Sequence, residues 1–482
     1  MSHNRRDFLV RSTCAALSAA AFQGTVRQFG LANLLALDAP TAPNCSGGYK
    51  ALVCIFLNGG NDGNNMVIPY DATNYNAYAA ARAGLAIAQG SLVPMNNPPG
   101  MPGRQFAFHP NMPEMTALFN QNKLAVVTNV GPLVVPTSQA EYINNSVPKP
   151  FSLFSHSDQV QAWQTSRSDV KVGTGWGGRT VDAVLSCNAG SGFPTLTSIA
   201  GSTTFCIGLQ QRPLSIGSGA LNSVLVLNGF SGSATDVARK ASMDYLRTID
   251  LTATMIAGAS GITQQGRDIS TQFAVADPTI NTVFPNTGIA NQLKQVAKII
   301  RLNQQGSFVP ALVRQVFFVS QGGYDTHQDQ VNDQGNLFVD LSQAMNAFYG
   351  ATLEFGLQNA VTAFTLSDFG RTLQPSGTGN NIGSDHGWGN HQFVMGGAVV
   401  GGDFYGNINP STGSRFPVHT FGGPDDTTTS ANGRGRWIPA TSVDEYAVGL
   451  AKWLGVSSAD VPSVFPLIGN FESSPYPGLG FI

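Results

Sequence analysis

The stretch VTAFTLSDFGRTLQPSGTGNNIGSDHGWGNHQFVMGGAVVGG, residues 361–402, carries the strongest indication of the fold. Its apolar, β-branched run 361–366 predicts a buried strand, which breaks at Asp368. Further ionisable residues follow soon afterwards: Asp385, His386 and His391. In an open parallel sheet, ligands bind in the crevice beyond the carboxyl ends of the strands. Ionisable residues that follow a strand are therefore candidates for chemistry.

Two earlier stretches repeat this arrangement of a strand followed by an aspartate. Residues Ala51–Leu57 (ALVCIFL) lead into Asp62, and residues Val316–Val319 (VFFV) lead into Asp325 and His327. Three predicted strands would therefore each deliver an aspartate to the same edge of a parallel sheet.

Helical patterns between the strands predict βαβ units, which require a parallel sheet. A helix at Met112–Gln121 precedes a strand at Leu124–Val130, and a helix at about Leu337–Phe355 leads to the strand at 361–366. A capping box at Ser442 predicts a further helix that ends at Gly455. The sequence therefore predicts an α/β fold with a mostly parallel sheet.

Residues 191–290 have a different composition and predict an insertion or lid region. They contain Gly/Ser/Thr-rich loops, a short β-like piece at Ser223–Leu227 and an amphipathic helix from Thr235 to about Ala257. We expect a single domain over residues 48–475 that includes this insertion.

The first residues predict a targeting signal. Residues 4–10 read NRRDFLV, a twin-arginine pair, and Ser12–Phe22 is a short, mildly apolar segment. The alternative is an ordinary helix with a chance Arg-Arg pair. We predict a twin-arginine signal peptide over residues 1–39, export by the twin-arginine translocase, and a periplasmic or extracellular protein. No other apolar run approaches the ~18 residues of a membrane helix, so no transmembrane segment is expected in the mature chain.

Composition excludes some partners. Only 11% of residues are charged and the formal net charge is −2, so nothing favours binding to nucleic acid or to an anionic membrane surface. Outside the signal, the cysteines match no zinc motif: Cys45, Cys54, Cys187 and Cys206. Cys54 fits a buried small hydrophobic residue, whereas Cys187 and Cys206 bracket a loop and either form a disulfide or remain free.

A second cluster, FSHSD at residues 154–158, leaves two alternatives for Ser155. Together with Asp158, Ser155 fits a helix-capping box. A hydroxyl at a helix N-terminus would also suit a nucleophile, because the helix dipole stabilises the developing negative charge.

The candidate metal ligands are spread along the chain, and each has an ordinary explanation. A single aspartate after glycine fits a turn, and a single histidine fits a hydrogen-bonded loop residue. Four or more carboxylates converging at one sheet edge would, however, repel one another unless a cation neutralised them. The oxygen and imidazole ligands suit Zn²⁺, Mn²⁺ or Ca²⁺. The candidates are Asp62, Asp325, His327, Asp368, Asp385, His386 and His391.

Five motifs together resemble a known family. They are GGND at 59–62, GYDTH at 323–327, SDFGRT at 367–372, DHGWG at 385–389 and TSVDEY at 441–446. With these motifs the chain resembles a large, functionally uncharacterised family of exported proteins, which usually begin with a twin-arginine signal and are related to the alkaline phosphatase and sulfatase superfamily.

The resemblance implies an alkaline-phosphatase-like fold: a doubly wound, mostly parallel sheet with helices on both faces, loop-rich insertions and a metal site at the carboxyl edge. The implied ligands are Asp62, Asp325, His327, Asp368 and His386. Two features depart from the superfamily. Phe369 stands where alkaline phosphatases carry a histidine, which argues against a full second metal site. The Cys/Ser-x-Pro-x-Arg pattern of sulfatases is absent around every cysteine.

Two functions remain open. The first is an exported metal-dependent hydrolase of a phosphate or sulfate ester, in which Ser155 or a water attacks and Arg371 or Arg179 holds the anionic group. The second is a catalytically silent surface or secretion-associated protein that keeps the fold and a structural metal. His391 is expected to support the site from behind the ligands.

Overall fold

In a computed structural model of the chain, residues 43–221, 232–273 and 277–482 are described. The predicted signal peptide and the β-like piece at Ser223–Leu227 lie outside these ranges. The strands are β1 (Lys50–Leu57), β2 (Val67–Pro69), β3 (Val93–Pro94), β4 (Phe106–Phe108), β5 (Leu124–Gly131), β6 (Leu196–Ser198), β7 (Leu214–Ser215), β8 (Arg314–Gln321), β9 (Val361–Ser367), β10 (Arg371–Ser376), β11 (Gly383–His386), β12 (Asn390–Gly396), β13 (Phe404–Tyr405) and β14 (Thr441–Ser442).

The α-helices connect these strands and cover the sheet. They are α1 (Gly63–Met66), α2 (Ala72–Arg82), α3 (Pro113–Asn120), α4 (Gln139–Asn144), α5 (His156–Thr165), α6 (Trp176–Ala183), α7 (Ala234–Leu246), α8 (Thr254–Phe273), α9 (Gly288–Gln304), α10 (Gln330–Glu354), α11 (Val443–Leu454) and α12 (Val461–Val464). None of the helices in the described ranges is long and apolar enough to cross a membrane.

The main sheet has the strand order β13-β5-β12-β9-β1-β8-β6-β7, with β14 also paired to β5. β12 runs antiparallel to both of its neighbours, and the other pairs in this sheet are parallel. Strand β1 lies between β8 and β9, so Cys54 is in register with Phe318 on one side and Phe364 on the other. The predicted mostly parallel α/β sheet is confirmed.

Side chains of β1 alternate between two apolar cores, one on each face of the sheet. Val53 and Ile55 pack in the core that also contains residues of α3, α9 and α10, whereas Leu52 and Phe56 pack in the core that contains residues of α6 and α11. Because successive strand residues point to opposite faces, a strand that is apolar throughout must be covered on both. The predicted arrangement of helices on both faces is therefore observed.

Several helices begin or end away from the predicted positions, each for a local reason. The Thr235 helix is in fact two helices, α7 and α8, because the chain turns between them at Asp250, whose φ is 59°. Helix α10 begins at Gln330, well before Leu337, since its first turns bury Gln330 and Gln334 against Asp62. The capping box at Ser442 is confirmed, with Glu445 as its partner.

The Cys187–Cys206 disulfide, one of the two alternatives that the sequence left open, does not form. Cys187 is bonded to Cys45, while Cys54 and Cys206 are free and buried. Cys206 packs among apolar side chains on one face of the sheet. Cys187 is bonded to the segment around Cys45, which precedes β1. Arg314 holds this segment in place by donating to the carbonyl oxygen of Asn44 and to another carbonyl oxygen of the segment. Cys187 and Cys206 are close in the sequence, but they are not bonded to each other.

Candidate metal centre

Three adjacent parallel strands, β9, β1 and β8, end at the same edge of the main sheet. Asp368 follows β9, Asp62 follows β1 and Asp325 follows β8. The sheet order therefore brings together the three strand ends that the sequence singled out. What surrounds each aspartate differs, and these surroundings decide its role.

His156, Asp325 and His386 form a compact trio of potential ligands at this edge. The Nε2 atoms of the two histidines lie 3.1 Å apart, and Asp325 Oδ1 lies 3.4 Å from His156 Nε2 and 3.7 Å from His386 Nε2. Zinc bonds of about 2.0–2.1 Å place tetrahedral ligand atoms about 3.4 Å apart. The trio therefore has the spacing of ligands that share one ion.

The hydrogen bonds behind the two histidines fix which ring nitrogen faces the centre. His386 Nδ1 donates to the carbonyl oxygen of Phe154 at 2.6 Å, because a carbonyl can only accept. His156 Nδ1 lies 2.8 Å from the Asp368 carboxylate and donates in the same way. In the neutral rings, both Nε2 atoms then carry lone pairs that face each other. This is the arrangement of metal-binding histidines with outer partners, and it fits a divalent cation.

His327 borders the trio on its exposed side. Its Nε2 lies 3.1 Å from His386 Nε2 and 3.0 Å from Asp325 Oδ1. Its Nδ1 lies 3.6 Å from the carboxylate of Asp385, which is paired with Arg434. The predicted ligands His327, Asp325 and His386 are thus brought together.

Local charges shift the pKa values of these groups in different directions. The hydrogen bond to Asp368 raises the pKa of His156, whereas burial lowers the pKa of His386 and of His327. Partial burial pushes the pKa of Asp325 upward, but the hydrogen bond and charge of Arg371 outweigh it and leave that pKa below its usual value. Asp325 is therefore ionised and His386 neutral near pH 7.

A strained segment and an aromatic ring set the orientation of the trio. Phe154, which supplies the carbonyl oxygen to His386, has a φ of 73°, a conformation that non-glycine residues rarely adopt. The Phe369 ring packs against both imidazoles, with ring centroids 4.6 Å from His386 and 4.8 Å from His156. Gly60, at φ 84°, leaves room for this ring, because a Cβ there would lie 2.3 Å from it.

Two other predicted residues hold the trio from outside. Asp368 is fully buried; one oxygen accepts from the Gly59 N–H at 3.0 Å and the other faces His156. Arg371 is buried, donates to Asp325 Oδ1 at 2.7 Å, and also donates to the carbonyl oxygens of Gly60 and other loop residues. Both residues position ligands in this structure.

Asp62 lies apart from the trio's ligand atoms. Its buried carboxylate is paired with the guanidinium of Arg82 and accepts hydrogen bonds from Gln330 and from the Asn64 N–H, the latter at 3.0 Å. Its oxygens are occupied by these protein donors, so the structure gives Asp62 the surroundings of a buried ion pair.

His391 packs inside the protein away from the trio. Its Nδ1 accepts from the Asn129 N–H at 3.2 Å, and its ring lies against Phe416 and Trp437. Burial lowers the pKa of His391 to about 3, so the ring is neutral. The sequence predicted that His391 supports the centre, but among the described residues no hydrogen bond or ring contact joins His391 to the trio.

Ser155 occupies the residue before α5, where the sequence placed a helix cap or a nucleophile. Its side chain makes no capping hydrogen bond, and its Oγ lies 3.4 Å from the Ser157 hydroxyl. The next residue, His156, is a candidate ligand that the sequence analysis did not single out. The sequence does contain a signal for it, because His156 lies within the FSHSD cluster at residues 154–158.

Among solved structures, several share a low level of likeness. The C-terminal periplasmic domain of EptC from Escherichia coli, in complex with Zn, is 11% identical with a TM-score of 0.29, covering 75% of this chain and 78% of that one. PsFucS1 sulfatase from Pseudoalteromonas sp. is 12% identical with a TM-score of 0.29, covering 79% and 68%. An alkaline phosphatase superfamily protein from Vibrio parahaemolyticus is 10% identical with a TM-score of 0.28, covering 74% and 62%. At these TM-scores, function has to be argued from the side chains of the site.

No curated protein matches the chain in sequence. Over residues 49–421, however, the sequence matches the family described as "Protein of unknown function (DUF1501)". This range contains the whole His156, Asp325 and His386 trio and covers most of the chain. The chain therefore belongs to this family of proteins of unknown function.

Proposed function

We propose that this chain is an exported, metal-dependent hydrolase of a phosphate or sulfate ester. The observation that carries the proposal is the pair of imidazole Nε2 atoms of His156 and His386, which face each other at 3.1 Å while each Nδ1 is held by an acceptor. When both rings are neutral, a divalent cation would accept both lone pairs and remove the repulsion between them. Of Zn²⁺, Mn²⁺ and Ca²⁺, two nitrogens and one carboxylate favour zinc over calcium.

His156, Asp325 and His386 would hold the cation, with His327 beside them. A divalent cation bound here would lower the pKa of a water molecule and polarise an ester oxygen. Asp368 keeps the Nε2 of His156 directed at the centre, and the Phe154 carbonyl does the same for His386. These outer contacts keep the ligands in place during turnover.

The charges around the trio favour an anionic substrate. The nearby carboxylates and guanidiniums are Asp325, Asp368, Asp385, Arg371, Arg434 and Arg436. Asp426, which accepts from the Arg436 backbone N–H, adds a fourth carboxylate against three guanidiniums, so a bound divalent cation would leave these groups with a small excess of positive charge. Such a centre attracts phosphate or sulfate groups and stabilises charge that develops on them.

We propose water, held in the centre, as the attacking group. Among the described residues, the hydrogen-bond partners of His156, Asp325 and His386 include no hydroxyl group, and the Ser155 hydroxyl contacts Ser157. The same observation favours the second candidate, a catalytically silent protein with a structural metal. Measured turnover has to separate the two.

The test is hydrolysis of p-nitrophenyl phosphate and p-nitrophenyl sulfate by the metal-loaded protein, followed as release of p-nitrophenol. We expect turnover of one ester that is lost on chelation, restored by metal, and absent in His156→Ala and His386→Ala. His109→Gln, a buried histidine elsewhere, is the matched control and should remain active. Ser155→Ala should keep activity if water attacks. A metal-loaded protein that cleaves neither ester leaves the silent candidate standing.

We also propose export by the twin-arginine translocase to the periplasm or beyond. The Arg5-Arg6 pair supports it, and so does the Cys45–Cys187 disulfide, since such bonds persist in oxidising compartments. Replacing Arg5 and Arg6 with lysine should leave the precursor in the cytoplasm on cell fractionation. Unchanged export of that variant would remove the localisation proposal.

A further inference from the structure

The sequence suggested two arginines for binding an anion, and the hydrogen-bonding groups of both are occupied by other groups of the protein. Arg371 is buried, and its Nε and Nη1 donate to the carbonyl oxygens of Gly60 and Ser384 while Nη2 donates to Asp325. Arg179 is also buried, and its Nε and Nη1 donate to carbonyl oxygens within the protein. Neither guanidinium has an open side for a substrate.

Arg436 is placed differently, directly behind a ligand of the candidate metal centre. Its Nε donates to the carbonyl oxygen of His386 at 2.8 Å, and its guanidinium lies over the Phe154 ring, 4.1 Å from the ring centroid. Phe154 is the residue whose carbonyl oxygen holds His386 Nδ1. Arg436 and His386 are therefore fixed by the same segment, and stacking on Phe154 restricts the guanidinium to one orientation.

The two Nη groups are the part of the Arg436 side chain that the described residues leave unpaired. Within the described part of the chain, its Nη1 and Nη2 form no hydrogen bond and no salt bridge, although the residue is half-buried. Arg434, two residues earlier, brings a second positive charge and is paired with Asp385. A half-buried guanidinium whose Nη groups have no acceptor among the described residues is stabilised by an anion that supplies one.

We propose that Arg436, with Arg434 beside it, forms the oxyanion-binding subsite of the metal centre and grips the phosphate or sulfate group of the substrate. The open pair of Nη groups matches two oxygens of such a group in a bidentate geometry. Pre-orientation by Phe154 and His386 reduces the entropy lost on binding. The inference rests on the proposed function, because the cation and the guanidinium act on the same anion.

The experiment is a calorimetric titration of the zinc-loaded full chain with inorganic phosphate, inorganic sulfate and acetate. Arg436→Gln should weaken binding of the preferred tetrahedral anion roughly 10- to 100-fold, as expected for losing charge-assisted hydrogen bonds. The affinity of Arg436→Lys should fall between those of wild type and Arg436→Gln, because lysine keeps the charge but cannot form the bidentate contact of a guanidinium. Comparison of phosphate with sulfate identifies the class of ester, and acetate should bind more weakly than either.

Arg239→Gln is the matched control, since it removes the same charge from an exposed position on α7. It should bind the anion as wild type does. Bound zinc and melting temperature are measured for every variant, so that loss of folding or of metal is recognised. If zinc-loaded Arg436→Gln folds, keeps its metal and binds the anion as tightly as wild type, the subsite is wrong. If wild type holds no metal, the proposed function fails first, which is a distinguishable outcome.

Discussion

Asp62 and Asp325 follow neighbouring parallel strands and reach the same sheet edge, yet their surroundings are opposite. Asp62 has a fully buried side chain, paired with Arg82 and hydrogen-bonded by Gln330. The side chain of Asp325 is 50% exposed and faces histidine nitrogens at 3.0–3.7 Å. The same sequence signal thus gives an internal ion pair in one case and a candidate metal ligand in the other. Both carboxylates have an arginine partner, Arg82 for Asp62 and Arg371 for Asp325, so the difference lies in exposure and in the histidines that only Asp325 faces.

The largest effect on stability is expected when Asp62 loses its arginine partner. Arg82→Met leaves the Asp62 carboxylate buried without its partner, which should lower the free energy of unfolding by about 3–5 kcal/mol. Asp325→Asn, measured in the metal-free protein, should lower it by less, because that side chain is half exposed and asparagine keeps an acceptor oxygen for the buried Arg371 guanidinium. Urea unfolding of both variants in chelator checks the pair. Equal losses would remove the distinction between the two aspartates.

The strands at the site were predictable, since the runs Ala51–Leu57 and 361–366 are apolar on both faces and only a covered parallel sheet accommodates them. The position of Asp325 and His327 beside Asp368 followed from that sheet, whereas His386 lies on β11 of a separate two-stranded sheet. Side-chain partners were not predictable in the same way. Arg82 reaches Asp62 from α2, and no periodic pattern in the sequence encodes that contact.

The roles of ligand and outer partner were hidden for a similar reason. Asp368 and His156 are far apart in the sequence, and only the packing of α5 against the sheet edge makes the carboxylate an outer partner of the imidazole. Cys187 was matched with the wrong cysteine because its true partner, Cys45, lies 142 residues away. Long-range pairing of this kind leaves no trace in local composition.

Asp444 extends the comparison to a buried aspartate that forms no salt bridge with the described residues. Burial raises its pKa to about 7, above the unfolded value near 3.9. The stability it contributes when protonated is therefore present below about pH 4 and lost as pH rises through 7. Asp444→Asn should remove this loss, so the variant should gain roughly 2–4 kcal/mol relative to wild type between pH 5 and pH 8.5. Urea unfolding across this range checks it, and parallel curves for the two proteins would contradict it.

The smallest expected effect applies the contrast to histidines. His391→Gln removes the acceptor of the Asn129 N–H and should cost about 1–3 kcal/mol of stability, but it should bind as much metal as wild type. Because the folded-state pKa of His391 is lowered to about 3, its contribution is present above about pH 6.5 and lost as pH falls toward 3. The variant should therefore lose less stability than wild type on acidification. Reduced metal content in His391→Gln would show that His391 does support the metal centre.

Zinc binding to the chelator-treated protein tests the central claim most directly. Calorimetry and elemental analysis of wild type should show zinc bound at one site formed by His156, Asp325 and His386, and His156→Ala and His386→Ala should each bind at least about 100-fold more weakly. His109→Gln, prepared alike, should match wild type. If His156→Ala and His386→Ala bind zinc with the wild-type stoichiometry and affinity, the trio is not a metal centre and the account of this site is contradicted.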